Sequence, residues 1–186
     1  SAPAVCFVCA KSPGTEGPDG KWYSRGSIVL LDELATHDPD NLNRGMNYTI
    51  PQIAEEIRAL AKRWRIPPDG VADDACFSRG GHAAGSIAEE FRQFRVYFRH
   101  ARKGDRRVGW ERMRRMLQDA GKSDVPGLFI SRECGYFWRT VPFLSRDPRK
   151  ADDVDSRGPD HGADAARYAI MGMTAGVGTG SVMGLY

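Results

Sequence analysis

Two stretches of this chain concentrate residues able to do chemistry. PDHGADAARYAIM, residues 159–171, sets Asp160, His161 and Asp164 just ahead of an apolar run. If a helix begins near Asp160, the pairs Asp160/Asp164 and His161/Asp164 stand four and three residues apart and share one face. Asp160 can cap such a helix, and the helix dipole favours a carboxylate in the first turn. Asp164 asks for more. It borders the apolar face of Ala165, Ala166, Tyr168, Ala169, Ile170 and Met173, where a carboxylate needs a partner. A divalent cation shared with another carboxylate would be one. The second stretch is GVADDACF, residues 70–77, an apolar run ending in Asp73 and Asp74. Neighbouring side chains on a strand point to opposite faces. One of the two therefore faces the sheet's working surface and the other faces solvent. Parallel α/β sheets place their sites at the C-terminal ends of strands. The simpler readings are a capped helix and a turn-initiating aspartate pair.

The elements that position these groups follow from periodicity. APAVCFVCAK reads as a buried strand and KWYSRGSIVLLDEL as a second strand hairpinned onto it through SPGTEGPDGK. Residues 36–49 read as a polar loop. IPQIAEEIRALAKRW has apolar residues at 53, 57, 60 and 64, a helical spacing. The GVADDACF strand comes next, then a flexible loop, SRGGHAAGS. Helix SIAEEFRQF follows, with Ser86 as N-cap and Glu89 in the capping-box position. RVYFRH reads as a strand, 101–107 as a basic loop, VGWERMRRMLQDAG as a helix ending at Gly121, and GLFIS as a buried strand. RECGYFWRTVPFLS is helix-like and breaks near Pro142, and 145–159 is a polar connector. A last helix spans about Asp160 to Met173, before a Gly-rich tail with the composition of a disordered end. The fold class is α/β, with an antiparallel first pair, later strands made parallel by helical crossovers, and flanking helices.

The chain has 186 residues, 41% of them hydrophobic, enough for one domain with a real core. The net charge of +3 says little, but its distribution says more. From Arg92 to Arg115 ten Lys/Arg residues face only two acids, Asp105 and Glu111, while carboxylates gather in 32–40, 69–74 and 151–164. One basic face beside an acidic cluster suits a polyanion held near metal ions, although a solvated charged surface gives the same pattern. Cys6 and Cys9 form a C-x-x-C on a strand, where positions three apart point to opposite faces, so they read as core and not as a zinc pair. No feature demands disulfides or a membrane span, and a reducing cytoplasmic setting is expected. GTEGPDGKW imitates a P-loop and fails. Five residues separate Gly14 from Gly20 where the motif has four, and Trp22 replaces the Ser/Thr.

VADDAC resembles the ADPA-type strand end, and DHGADAARYAIM the DHxxDALRYA helix, of the nuclease domain of bacteriophage terminase large subunits. The order of elements is similar over nearly the whole chain. The resemblance implies an RNase H-like nuclease domain over 1–174 and a C-terminal tail over 175–186. It implies two Mg²⁺ or Mn²⁺ ions held between carboxylates, with Asp73 and Asp164 as catalytic metal ligands. His161 matches a position that often lies beside the metals. Asp160 and Asp74 are accessory candidates, and Asp32 or Glu33 on the neighbouring strand could add a carboxylate. Paired ions about 4 Å apart activate a water and stabilise the leaving oxygen of an in-line phosphodiester displacement. Double-stranded DNA would be the substrate, cut with little sequence specificity through backbone contacts from Arg99, Arg102, Lys103, Arg106 and Arg107. The partners implied are the terminase ATPase domain, the small terminase subunit and the portal protein, in the bacterial host cytoplasm.

The chain departs from the family pattern in two places. Asp74 stands where the family often has proline, and SAPAVCFVCAK carries no carboxylate to match the family's first aspartate. The chain by itself is therefore expected to hold metals weakly and to cut DNA slowly or not at all. Two other readings stand beside this one: a resolvase- or transposase-like nuclease, and a DNA- or protein-docking module that keeps the fold without the chemistry.

Overall fold

The computed structural model describes residues 1–79, 85–102, 104–174 and 184–185. Strand β1 (Val5–Lys11) pairs antiparallel with β4 (Ile28–Ala35), and β4 pairs parallel with β9 (Leu128–Ile130). The expected hairpin therefore forms, but its second strand is split. A short ribbon of β2 (Thr15–Glu16) and β3 (Trp22–Tyr23) closes the turn, and Gly26, at φ +86°, redirects the chain before β4. The expected loop over 36–49 contains another ribbon, β5 (His37–Asp38) with β6 (Asn41–Gly45). The second half of the sheet architecture is wholly parallel. Its order is β10-β7-β8, made of β7 (Asp69–Ala72), β8 (Tyr97–His100) and β10 (Gly184–Leu185). Strand β10 also lies against β1. Apart from Gly184–Leu185, the tail expected to be disordered falls outside the described residues, as does 80–84 of the loop expected ahead of Ser86.

Helices cover both faces, and strand alternation decides which residues each face buries. Helices α1 (Ile50–Trp64) and α2 (Ile87–Gln93) pack over Cys6, Val8, Ala72 and Phe98. Helices α3 (Arg106–Asp119), α4 (Gly135–Thr140) and α5 (His161–Thr174) cover Val5, Phe7, Cys9, Val71 and Leu128. Cys6 and Cys9 thus belong to opposite cores, as period-2 alternation requires, and their thiols are pushed up by burial. The α1 contacts come from Ile53, Ile57 and Leu60, with Ala54 and Ala61 letting the helix lie close to the strands. The Ser86–Glu89 capping box forms as the sequence suggests. Helix α3 begins earlier than its apolar pattern suggests, because Asp105 caps it by accepting from the Arg107 N–H at 2.8 Å. The aromatic segment breaks after α4 into a 3-10 turn, Val141–Phe143, at Pro142. No helix among the described residues is long and apolar enough to cross a membrane.

Two acidic residues of β4 anchor helices. Asp32, on the α1 face and 6% exposed, accepts at Oδ2 from Arg63 Nη2 (2.5 Å) and Trp64 Nε1 (2.7 Å). It ties the last turn of α1 to the sheet. Glu33 points the other way and accepts from the N–H groups of Tyr136 (2.6 Å) and Phe137 (2.8 Å) at the start of α4. Burial outweighs those bonds and pushes its carboxyl up to about 7. The folded protein then keeps this proton to a higher pH than the unfolded chain. The stability linked to it is present below the ordinary glutamate value and is lost as pH rises through about 7. Glu33→Gln is expected to shrink the difference in melting temperature between about pH 5 and about pH 8. An unchanged difference would show that Glu33 does not set it.

Candidate functional site

The C-terminal end of β7 and the first turns of α5 meet at one cleft of about 460 Å³. It is lined by Asp73, Gly104, Arg106, Ser156, Asp160, Asp164, Arg167 and Tyr168. The strand delivers Asp73 by alternation. Val71 packs under α5, Ala72 turns to the α1–α2 core, and Asp73 returns to the α5 side. Its Oδ1 caps the following 3-10 turn by accepting from the Ala75 N–H at 2.8 Å, and its Oδ2 accepts from the Tyr168 hydroxyl at 2.5 Å. Tyr168 stands one helical turn beyond Asp164, so α5 presents both to the same cleft.

Asp160 and Asp164 are both nearly sealed from solvent, at 4% and 3% exposure. Asp164 Oδ1 accepts from Arg167 Nε (3.2 Å) and Nη2 (2.9 Å), one turn along α5. Arg167 is itself 3% exposed, and its guanidinium lies over the rings of Trp110 (5.2 Å) and Tyr168 (4.6 Å). Gly109 of α3 makes this possible, since a Cβ there would stand 2.7 Å from Arg167 Cδ. Asp160 Oδ2 accepts from Arg106 Nη2 at 3.2 Å, and the same nitrogen lies 3.8 Å from Asp164 Oδ2. Burial, helped by the charge of Asp164, pushes the Asp160 carboxyl up to about 6, against the pull of Arg106. His161 is 9% exposed, and burial lowers its pKa against the pull of Asp164.

The other sequence candidates fall elsewhere. Asp74 is exposed, and its Oδ1 meets His100 Nδ1 at 3.0 Å, with the His100 ring stacked on Phe77 at 3.8 Å. Asp32 and Glu33 are engaged with α1 and α4, as described above, and line no wall of this cleft. Their strand position next to β1 made them candidates, but adjacent residues point to opposite faces and each found a helix end to hold. Arg99 and Arg102 are exposed, and Arg99 sits in register with Val71 on the strand beside the Asp73 strand. Arg107 is exposed and pairs with Asp105 at 3.3 Å. Lys103 lies outside the described residues. Arg106 is not a surface base but part of the acidic cleft.

Sequence reasoning missed Arg167, Tyr168, Trp110 and Asp153 as members of the site. The first two carried a signal, standing three and four residues after Asp164 on the same helical face. Asp153, which accepts from Trp110 Nε1 at 3.0 Å, carried none.

The donor set is carboxylate oxygen, which suits a hard divalent cation such as Mg²⁺ or Mn²⁺. Among the described residues, no three His, Cys, Asp or Glu side chains stand close enough together to hold one ion. Asp160 and Asp164 are instead ion-paired with Arg106 and Arg167 in the cleft wall, and Asp73 lines the same cleft. Comparison of the chain with protein-family models, with curated proteins and with solved structures finds no match.

Proposed function

We propose that the protein is an RNase H-like, metal-dependent endonuclease domain of the bacteriophage terminase type, acting on double-stranded DNA in the host cytoplasm. The observation that supports it most is that Asp73, from a strand end, lines the same open cleft as Asp160 and Asp164, from a helix start distant in sequence. Asp73 and Asp164 would hold two Mg²⁺ or Mn²⁺ ions, with Asp160 beside them. Metal bound there would supply water activation and charge stabilisation for phosphodiester hydrolysis. Tyr168 holds the Asp73 carboxylate in one orientation, and Arg167 does the same for Asp164. Trp110 and Tyr168 wall the Arg167 guanidinium away from solvent, so the acidic face stays rigid when a polyanion approaches. As in that family, the ATPase domain, the small subunit and the portal protein would be the working partners.

Arg99 and Arg102 are the phosphate contacts in this reading. Arg99→Ala and Arg102→Ala are each expected to weaken DNA binding equally for unrelated sequences. Each should reduce the slope of log affinity against log salt by about 1. Fluorescence anisotropy across a salt series measures both. A loss confined to one sequence, or an unchanged slope, would remove that residue from the interface.

One observation favours a second reading, a docking module without chemistry. The buried carboxylates are already matched by Arg106 and Arg167, which is how a purely structural ion-pair network looks. Plasmid cleavage in Mn²⁺ by the full-length gene product that carries this chain separates the two: cleavage supports the nuclease, and a folded protein that binds DNA without cutting it supports the module.

A further inference from the structure

The two arginines of the cleft are held differently. Arg167 is sealed, with 4% of its side chain exposed, and donates twice to Asp164. Arg106 has 34% of its side chain exposed and reaches three carboxylates without a close fit to any: Asp160 at 3.2 Å, Asp153 at 3.5 Å and Asp164 at 3.8 Å. Its Nε is buried and makes no hydrogen bond among the described residues. It stands at the first position of α3, directly after the Asp105 cap and Gly104, the latter at φ +54°. The side chain lines the cleft and stays partly exposed to solvent. Its guanidinium lies over the Trp110 ring, 5.5 Å from the centroid.

The charges point the same way. Asp160 and Asp164 are two buried carboxylates, and Arg167 offsets one of them. Arg106 supplies the other positive charge, spread over Asp160, Asp164 and Asp153. A divalent cation would bring two, and beside a retained guanidinium at contact distance it would meet repulsion.

We infer that Arg106 is the resident counter-ion of the acidic wall, and that a divalent cation enters by displacing it toward the mouth of the cleft. The inference rests on the nuclease reading and adds a regulatory element to it. The protein guards its carboxylates with its own cation until metal arrives, and the released guanidinium then faces the path of a phosphate backbone.

The test is Mn²⁺ binding, read by electron paramagnetic resonance of the free ion, for the full-length gene product that carries this chain as the parent, and for its Arg106→Gln and Arg106→Lys variants. Arg106→Gln is expected to bind Mn²⁺ at least about tenfold more tightly. Arg106→Lys, which keeps the charge but cannot span the carboxylates with a planar fork, should fall between. Mg²⁺ should also change tryptophan emission in the parent, as the guanidinium leaves Trp110, and should not do so in Arg106→Gln. A folded Arg106→Gln that binds Mn²⁺ no better than the parent would overturn the inference and leave the nuclease reading standing. If Arg106→Gln does not fold, Arg106→Lys decides, and equal or weaker binding again overturns it. Parent and variants that all take up no Mn²⁺ would overturn both.

Discussion

Asp73→Asn, made in the full-length gene product that carries this chain, is expected on the nuclease reading to lower Mn²⁺-dependent DNA cleavage by about 10³-fold or more while leaving the fold intact. The loss follows from removing one metal-ligand charge, where cation stabilisation of the transition state is worth several kcal/mol. The intact fold follows from the local bonds. An asparagine oxygen can still accept from the Ala75 N–H, and its amide can donate to the Tyr168 hydroxyl in place of the present bond. Asp73 is also only partly buried, so no sealed charge is left behind. Cleavage of supercoiled plasmid, with thermal melts of parent and variant alongside, measures both halves. A variant that cuts as fast as its parent would remove Asp73 from the chemistry.

Arg167→Ala is expected to cost about 3–5 kcal/mol of stability, because it strands Asp164 in a sealed environment. For a chain of this size that corresponds to a fall on the order of 10 °C in melting temperature. Asp164→Asn should be costly for the mirror reason, since Arg167 would lose the carboxylate it donates to twice. This makes Asp164 a poor residue for separating catalysis from folding. The double variant Asp164→Leu with Arg167→Met should recover much of the loss in stability, as apolar replacements of buried ion pairs do. On the nuclease reading it should recover none of the cleavage. Thermal melts of the single and double variants give the answer. A double variant no more stable than the singles would mean that Arg167 matters through its stacking on Trp110 and Tyr168 and not through Asp164.

Much of this arrangement is legible in the sequence. The α1 period, the Ser86 cap, the opposite faces of Cys6 and Cys9 and the mix of antiparallel and parallel pairing all follow from local pattern. So does the placing of Asp73 at a strand end and Asp164 on the first turn of a helix. The misses share a cause, which is that a partner distant in sequence decides the outcome. Asp32 and Glu33 carry no mark that one will hold Trp64 and Arg63 and the other the amides of α4. Arg106 looks like its neighbours in a basic run, yet the Asp105 cap starts α3 there and turns it into the acidic cleft. Gly26 splits the second strand through a single backbone angle that the apolar pattern cannot report.

The central claim is that Asp73, Asp160 and Asp164 form the acidic wall of a metal-dependent nuclease. Its most direct test is incubation of supercoiled plasmid with the full-length gene product that carries this chain, in Mn²⁺ and in EDTA, with Asp73→Asn as the control. The account predicts nicked and linear DNA in Mn²⁺, intact circles in EDTA, and intact circles with the variant. Intact circles in all three, from proteins shown to be folded and able to bind DNA, would contradict it and leave the cleft a structural ion-pair network in a docking module.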